Sequence, residues 1–326
     1  MTSFVISYRK TGMTMTAPPL DRVERLSTAS VRRVLEPEEM FDWDTLGTGR
    51  LLPDSLLSVA DLDLGLDAAA KAKLSREEVA SMLSTGVRFE AALMAGFSLQ
   101  IADADDLADP RITYMLHELG EETRHSRAFV RLLDEIDPTA VDPFRKGLIG
   151  KVASRMMRFT INAPALLCVF VLAGEEIPDL LQKRATEHPD TDPLLSAVNR
   201  YHRQEEARHL AFARTVLGEM WERAGAIERK RILHFAPIGI GQLFSAFVHP
   251  GVYETVGLPG MATWRAVNAT PQRTALKHAA ARPVLQAMID ADVVRPGAVP
   301  GGWRRLCGVD AEGAPLADAP TLHPVI

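Results

Sequence analysis

Two Glu-x-x-His sequences, Glu122-Thr-Arg-His125 and Glu206-Ala-Arg-His209, are the parts of this 326-residue chain whose residue types and spacing most directly suggest chemistry. Residues three apart share a helix face, so each motif can aim one carboxylate and one imidazole at a common point. A lone Glu in an apolar segment precedes each motif: Glu90 stands 32 positions before Glu122, and Glu175 stands 31 before Glu206. A single Glu-x-x-His carries little weight, because helices are rich in Glu and a His is often an ordinary structural residue. Two such motifs at matched offsets differ, since four carboxylates in one core are costly to desolvate unless cations compensate them. The pattern points to two metal ions bridged by carboxylates. Oxygen and imidazole donors without thiolate favour iron or manganese, ligand type alone leaving zinc and cobalt open; iron is the expected metal.

One position breaks the symmetry. His202 lies four residues before Glu206 and seven before His209, on the same helix face, whereas the equivalent position before Glu122 is Glu118. His202 is therefore a candidate seventh ligand, against the alternative of an ordinary helix-face histidine. The predicted metal set is Glu90, Glu122, His125, Glu175, His202, Glu206 and His209, in which four carboxylates balance two divalent cations. Glu121 and Glu205 adjoin the motif glutamates. They can accept a hydrogen bond from the outer nitrogen of a ligand His in the opposite motif, or form ion pairs with Arg124 or Arg208. Between Glu175 and Glu176, the repeat offset favours Glu175.

The elements that must position these residues read as helices, because apolar residues recur at three and four positions and aromatic residues are only 6% of the chain. Ser75 and Glu78 form a capping-box pattern that predicts a helix start, and the helix carries Glu90 on its core side. Asp109-Pro110 and Asp192-Pro193 each place a capping Asp before a Pro in the first turn, so both motif helices begin alike. The duplication predicts an all-α four-helix bundle, with Asp142 to Asn162 supplying part of the crossover. Residues 1–20 read as a loose arm and 21–326 as one domain, with the bundle over about 75–218 and a C-terminal cover over about 226–326. Beyond Gly225 the pattern becomes irregular, apart from a helix predicted from Gln272 to Ala291 and a Pro/Gly-rich tail from Arg295. Gly239-Ile-Gly241 reads as a bend.

Composition narrows the class further. With 47% hydrophobic residues the chain can bury a large core, and a net charge of −5 gives no reason to expect nucleic-acid partners or an anionic membrane. Cys168 and Cys307 have no Cys-x-x-Cys spacing, which suggests a reducing compartment, and the chain is read as cytoplasmic without a secretory leader. The uncharged run Phe159–Gly174 is short for a membrane span and is expected as a buried helix. Neither a Gly-x-Gly-x-x-Gly fingerprint after a strand nor a cysteine cluster is present, so electrons must come from another protein or a chemical reductant.

From about Ser75 to Gly218 the chain resembles the p-aminobenzoate N-oxygenase (AurF-type) family of non-haem di-iron enzymes, which implies a ferritin-like four-helix bundle core with additional N- and C-terminal helices. Its order of Glu90, Glu122-x-x-His125, Glu175 and His202-x-x-x-Glu206-x-x-His209 repeats the family's ligand order, and the extra histidine is the specific part. A departure is that Glu121 and Glu205 stand where the superfamily often has Asp. The resemblance implies two iron ions, dioxygen as co-substrate, an external electron donor, and oxidation of an amine, expected to be an arylamine, through hydroxylamine and nitroso stages toward nitro in natural-product biosynthesis. It also implies a homodimer. Alternatives on the same bundle are a di-iron C–H hydroxylase or desaturase, and a non-enzymatic metal-binding protein. Tyr114, Arg158, Tyr201 and Arg265 are candidates for holding a substrate carboxylate.

Overall fold

The computed structural model describes residues 19–32 and 34–325, whose regular structure is helical, with no strand beyond one isolated bridge between Val309 and Pro315. In chain order the helices are α1 (Pro19–Arg32), α2 (Pro37–Met40), α3 (Ala68–Ala102), α4 (Pro110–Ile136), α5 (Gly147–Ile161), α6 (Pro164–Glu187) and α7 (Pro193–Arg223). They continue as α8 (Ala226–His234), α9 (Ala236–Ala246), α10 (Pro250–Glu254), α11 (Gly260–Ala269), α12 (Pro271–Asp290) and α13 (Gly301–Cys307). The four long helices α3, α4, α6 and α7 form the bundle. Its tightest associations are α3 on α4 and α6 on α7, the two pairs that carry the duplicated motifs. This is the expected all-α, ferritin-like arrangement, with α5 as the crossover.

Local chemistry explains most of the boundaries. Asp109 accepts a hydrogen bond from Arg111 N at 2.9 Å and Asp192 from Leu195 N at 3.0 Å, so both Asp-Pro pairs cap their helices. The capping box expected at Ser75 is not a start. The run of Ala and Lys from Ala68 to Lys73 favours helix strongly, and Asp67 caps it by accepting from Ala70 N at 2.8 Å. The Ser75 hydroxyl instead donates to Ala72 O and accepts from Leu51 N, both at 2.9 Å, tying the 43–62 segment to α3.

Of the expected N-terminal arm, residues 1–18 lie outside the described residues, and Pro19 and Leu20 already belong to α1, which packs on α4 and α7. The uncharged run Phe159–Gly174 is two elements. The chain turns by 115° between α5 and α6, and the α6 portion is the one buried in the core. No single helix among the described residues is long and apolar enough to cross a membrane.

The segment expected to be irregular after Gly225 is mostly helical. Gly239 and Gly241 sit inside α9 rather than in a bend, and a Cβ at Gly239 would press on the Phe170 ring at 2.8 Å. The glycine there serves close packing, not a turn. The tail from Arg295 folds back through α13, whose buried Trp303 donates to Ile232 O at 3.0 Å. The C-terminal helices cover α6, with α12 lying along it.

Candidate metal centre

The residues picked out by spacing come together in the middle of the bundle, Glu90 from α3, Glu122 and His125 from α4, Glu175 from α6, and His202, Glu206 and His209 from α7. All seven are buried. Their donor atoms fall into three overlapping clusters, each within 4.8 Å: Glu122, His125, Glu206 and His209; Glu90, His125 and His202; and Glu175, His202 and Glu206. Glu122 and Glu206 lie between the two motif histidines. His125 Nδ1 is 3.4 Å from Glu122 Oε2 and 3.0 Å from Glu206 Oε1, while His209 Nδ1 is 3.1 Å from Glu122 Oε1 and 2.9 Å from Glu206 Oε2. Glu122 and Glu206 thus each face both imidazoles, with Glu90 and Glu175 outside them, and all four carboxylates would be available to hold metal.

His202 presents its other ring nitrogen. Its Nδ1 lies 3.0 Å from Gln182 Oε1, to which it donates, and its Nε2 lies 3.4 Å from Glu206 and 3.7 Å from Glu90. Gln182 therefore holds the Nδ1 side of the ring, so that Nε2 faces Glu206 and Glu90, as a metal ligand requires. Gln182 was not singled out from sequence, although it stands seven residues after Glu175 and hence on the same face of α6.

Outside this ring the two halves brace each other crosswise. His125 Nε2–H donates to Glu205 at 3.0 Å, and His209 Nε2–H donates to Glu121 at 2.8 Å. Arg124 in turn donates to Glu205 at 3.3 Å, and Arg208 to Glu121 at 2.8 Å. Both roles weighed for Glu121 and Glu205 hold at once: each orients an opposite-half histidine and pairs with an arginine. Glu176 pairs with Arg214, which leaves Glu175 as the inward carboxylate of α6. Pro178, three residues later, cannot donate to the Gly174 carbonyl, so the helical ladder is interrupted beside the site. Gly174 itself is required, because a Cβ there would overlap the Phe89 ring.

The electrostatics show what the donor set needs. Burial pushes Glu175 well above the usual carboxylate range, and neighbouring Glu206 and Glu122 push it further. Burial opposes protonation of His125 and His209, yet the surrounding carboxylates outweigh it and hold both imidazoles charged far above their ordinary range. The carboxylates thus favour positive charge at the centre they surround. Glu175 Oε1 has no hydrogen-bond partner, and Glu122 Oε1 and Glu206 Oε1 face only the motif imidazoles without hydrogen-bond geometry, so the residues present fit a two-metal group in number, type and unmet demand. Glu118 is also fully buried with neither oxygen partnered, and burial raises it to about 8, next to His209 but outside the ligand clusters.

A cavity of about 400 Å³ opens from Glu90, Glu175 and His202 and runs away from the centre between α3, α6 and α7. Phe89 and Phe129 flank its metal end, where Gln182 and Asn199 also line it, and Met82 lines it farther along α3. None of Tyr114, Arg158, Tyr201 and Arg265 lines it. Tyr114 is buried against Phe212, Tyr201 packs edge-on against His125, and Arg158 and Arg265 are exposed on the surface. The arginines that do line the cavity are Arg184 and Arg273.

Comparison with known proteins agrees with this geometry. The chain is 26% identical over 241 residues to uncharacterized proteins of Mycobacterium tuberculosis and Mycobacterium bovis, covering 71% of this chain and 70% of each relative. No solved structure matches. Residues 20–292 match the family described as p-aminobenzoate N-oxygenase AurF, a span that holds all seven clustered donors and both crosswise braces, and the chain belongs to that family.

Proposed function

We propose that the protein is a di-iron N-oxygenase that uses dioxygen to oxidise an amine through hydroxylamine and nitroso stages toward nitro, in natural-product biosynthesis. The observation that carries this reading is the seven-residue donor set, His202 included, within the span that matches the family. Glu90, Glu122, His125, Glu175, His202, Glu206 and His209 would hold two irons, which when bound supply activation of dioxygen. The chain's own residues do the rest. Gln182 holds the Nδ1 side of His202, Glu121 and Glu205 hold the motif histidines in place, and Phe89 and Phe129 limit water beside the outer carboxylates. A small-molecule amine is the substrate, reductant arrives from a separate electron-transfer protein, and the enzyme acts as a cytoplasmic homodimer.

The test is to load the protein with ferrous iron without oxygen, measure metal per chain, and add dioxygen with a panel of amines. Hydroxylamine, nitroso or nitro products support the reading. A second reading, carbon hydroxylation or desaturation, is favoured by Phe89 and Phe129 at the metal end of the cavity. Products oxidised at carbon with the amine intact would select it.

A further inference from the structure

The cavity is long, and its two ends differ in charge. Along α3 it is lined by Glu78, Met82, Gly86, Phe89 and Glu90, so it follows one face of the helix for 12 residues, about 18 Å at the rise of an α-helix. Along α6, which runs the opposite way, the lining passes from Glu175 through Pro178 and Leu181 to Arg184 and Ala185. Both helices therefore place the metal donors at one end; at the other lie Glu78 of α3, Arg184 of α6 and Arg273 of α12, which is close enough to Glu78 for their charges to interact.

The far end holds two cationic side chains, and among the described residues neither forms a direct ion pair; Glu78 acts on Arg273 only across a longer distance. Arg273 of α12 is only 9% exposed, its Nε has no partner, and its guanidinium lies 4.3 Å over the Phe244 ring and donates to Phe244 O at 3.3 Å. Arg184 donates to His323 O at 2.9 Å. Neither arginine has a carboxylate within 4.0 Å among the described residues. Glu78 shares this end but is engaged elsewhere, accepting the Ser58 N–H at 3.1 and 3.0 Å as well as the Ser58 hydroxyl. A buried cation with unused donors is costly unless a ligand completes it.

We propose that the cavity takes an elongated, amphipathic substrate: a carboxylate bound by Arg273 at the far end, an apolar shaft along α3, and the oxidisable group roughly 15 Å away at Glu90, Glu175 and His202. The inference rests on the oxygenase reading above for what happens at the metal end, but not for the binding of the acid. An aminobenzoate is too short to engage both ends. Segment 322–325 closes the arginine end, held by Gln272, which accepts from His323 N at 3.0 Å and donates to Thr321 O at 2.9 Å.

The test is calorimetric titration of the metal-loaded protein, without oxygen or reductant, using 12-aminododecanoate, dodecylamine, 4-aminobenzoate and a ladder of shorter ω-amino acids. The long acid should bind at least tenfold tighter than dodecylamine or 4-aminobenzoate, with affinity rising along the ladder. Arg273→Gln should lose at least tenfold for the long acid and leave dodecylamine unchanged, while Arg273→Lys recovers part of the loss. A flat ladder, or an Arg273→Gln protein that binds the long acid as the parent does, overturns the proposal; the ladder needs no variant to fold. If the long acid binds as expected and is oxidised at carbon, the N-oxygenase reading fails and this inference stands. If 4-aminobenzoate is N-oxidised while the ladder is flat, the reverse holds.

Discussion

The two ends of the cavity pose opposite electrostatic problems on one helix. At the Glu90 end, buried carboxylates from four helices outnumber the imidazoles, and several of their oxygens have no partner in hydrogen-bond geometry. At the Glu78 end burial raises the single carboxyl to about 7, so below that pH the excess is the guanidinium of Arg273. A fold tolerates buried charge when something compensates it, so each end specifies what must arrive: cations at one, an anion at the other. The apolar wall between them keeps the two from cancelling.

The largest effect expected from breaking this contrast is on the metal end. Removing metal leaves the four carboxylates to share protons, so the apo-protein should melt about 10 °C or more below the metal-loaded form in calorimetry. Equal melting temperatures would mean that the protein compensates its own carboxylates and that the contrast is illusory. Next in size, His202→Ala should cut oxygenation about 100-fold while most of the metal remains bound, because Glu122 and Glu206 still span His125 and His209. Unchanged turnover with full metal content would make His202 a packing residue.

A smaller effect addresses the crosswise bracing. Glu121→Gln and Glu205→Gln should each weaken metal affinity by roughly tenfold, and by similar factors, since each removes one oriented histidine and one arginine partner. Metal titration against a competing chelator reads the ratio. A large inequality would show that the internal duplication stops at the ligands and does not extend to their supports.

What could be read from sequence follows from what periodicity can carry. Glu122, His125, Glu206 and His209 were legible because three-residue spacing fixes a shared helix face, and Glu90 and Glu175 because the duplication repeats their offset. The Asp-Pro caps were legible for the same local reason. Ser75 misled because a capping-box pattern says nothing about a stronger cap eight residues earlier, where Asp67 precedes a run of helix formers. Arg273 was out of reach: it stands 183 positions after Glu90, on a helix whose docking against α6 is set by tertiary packing, and no spacing rule connects the two. Tyr114 and Tyr201 were plausible by type but point into the core on the sides of α4 and α7 away from the cavity lining. Glu118 was noticed only as the counterpart of His202, and its complete burial without a partner is visible only in three dimensions.

The remaining predicted effect lies at the arginine end and concerns Glu78. Burial raises its carboxyl to about 7, against the pull of Ser58 and Arg273. Below the ordinary carboxylate range the folded and unfolded chains are both protonated there. Between about 4.5 and 7 the unfolded chain gives up its proton while the folded chain keeps it, so stability falls as pH rises through that window and levels off above it. The decline attributable to this one group is on the order of 3 kcal/mol. Glu78→Gln keeps an acceptor for the Ser58 N–H and cannot ionise, so it should remove that decline. Urea midpoints should then show the variant close to the parent at pH 5 and more stable at pH 8. It should also bind the long acid more tightly at pH 8, where the parent has a carboxylate facing the incoming one. A variant less stable at both pH values would mean that Glu78 is ionised and serves as the counter-ion of Arg273. The far end would then be neutral without a ligand, and the opposition between the two ends would fail.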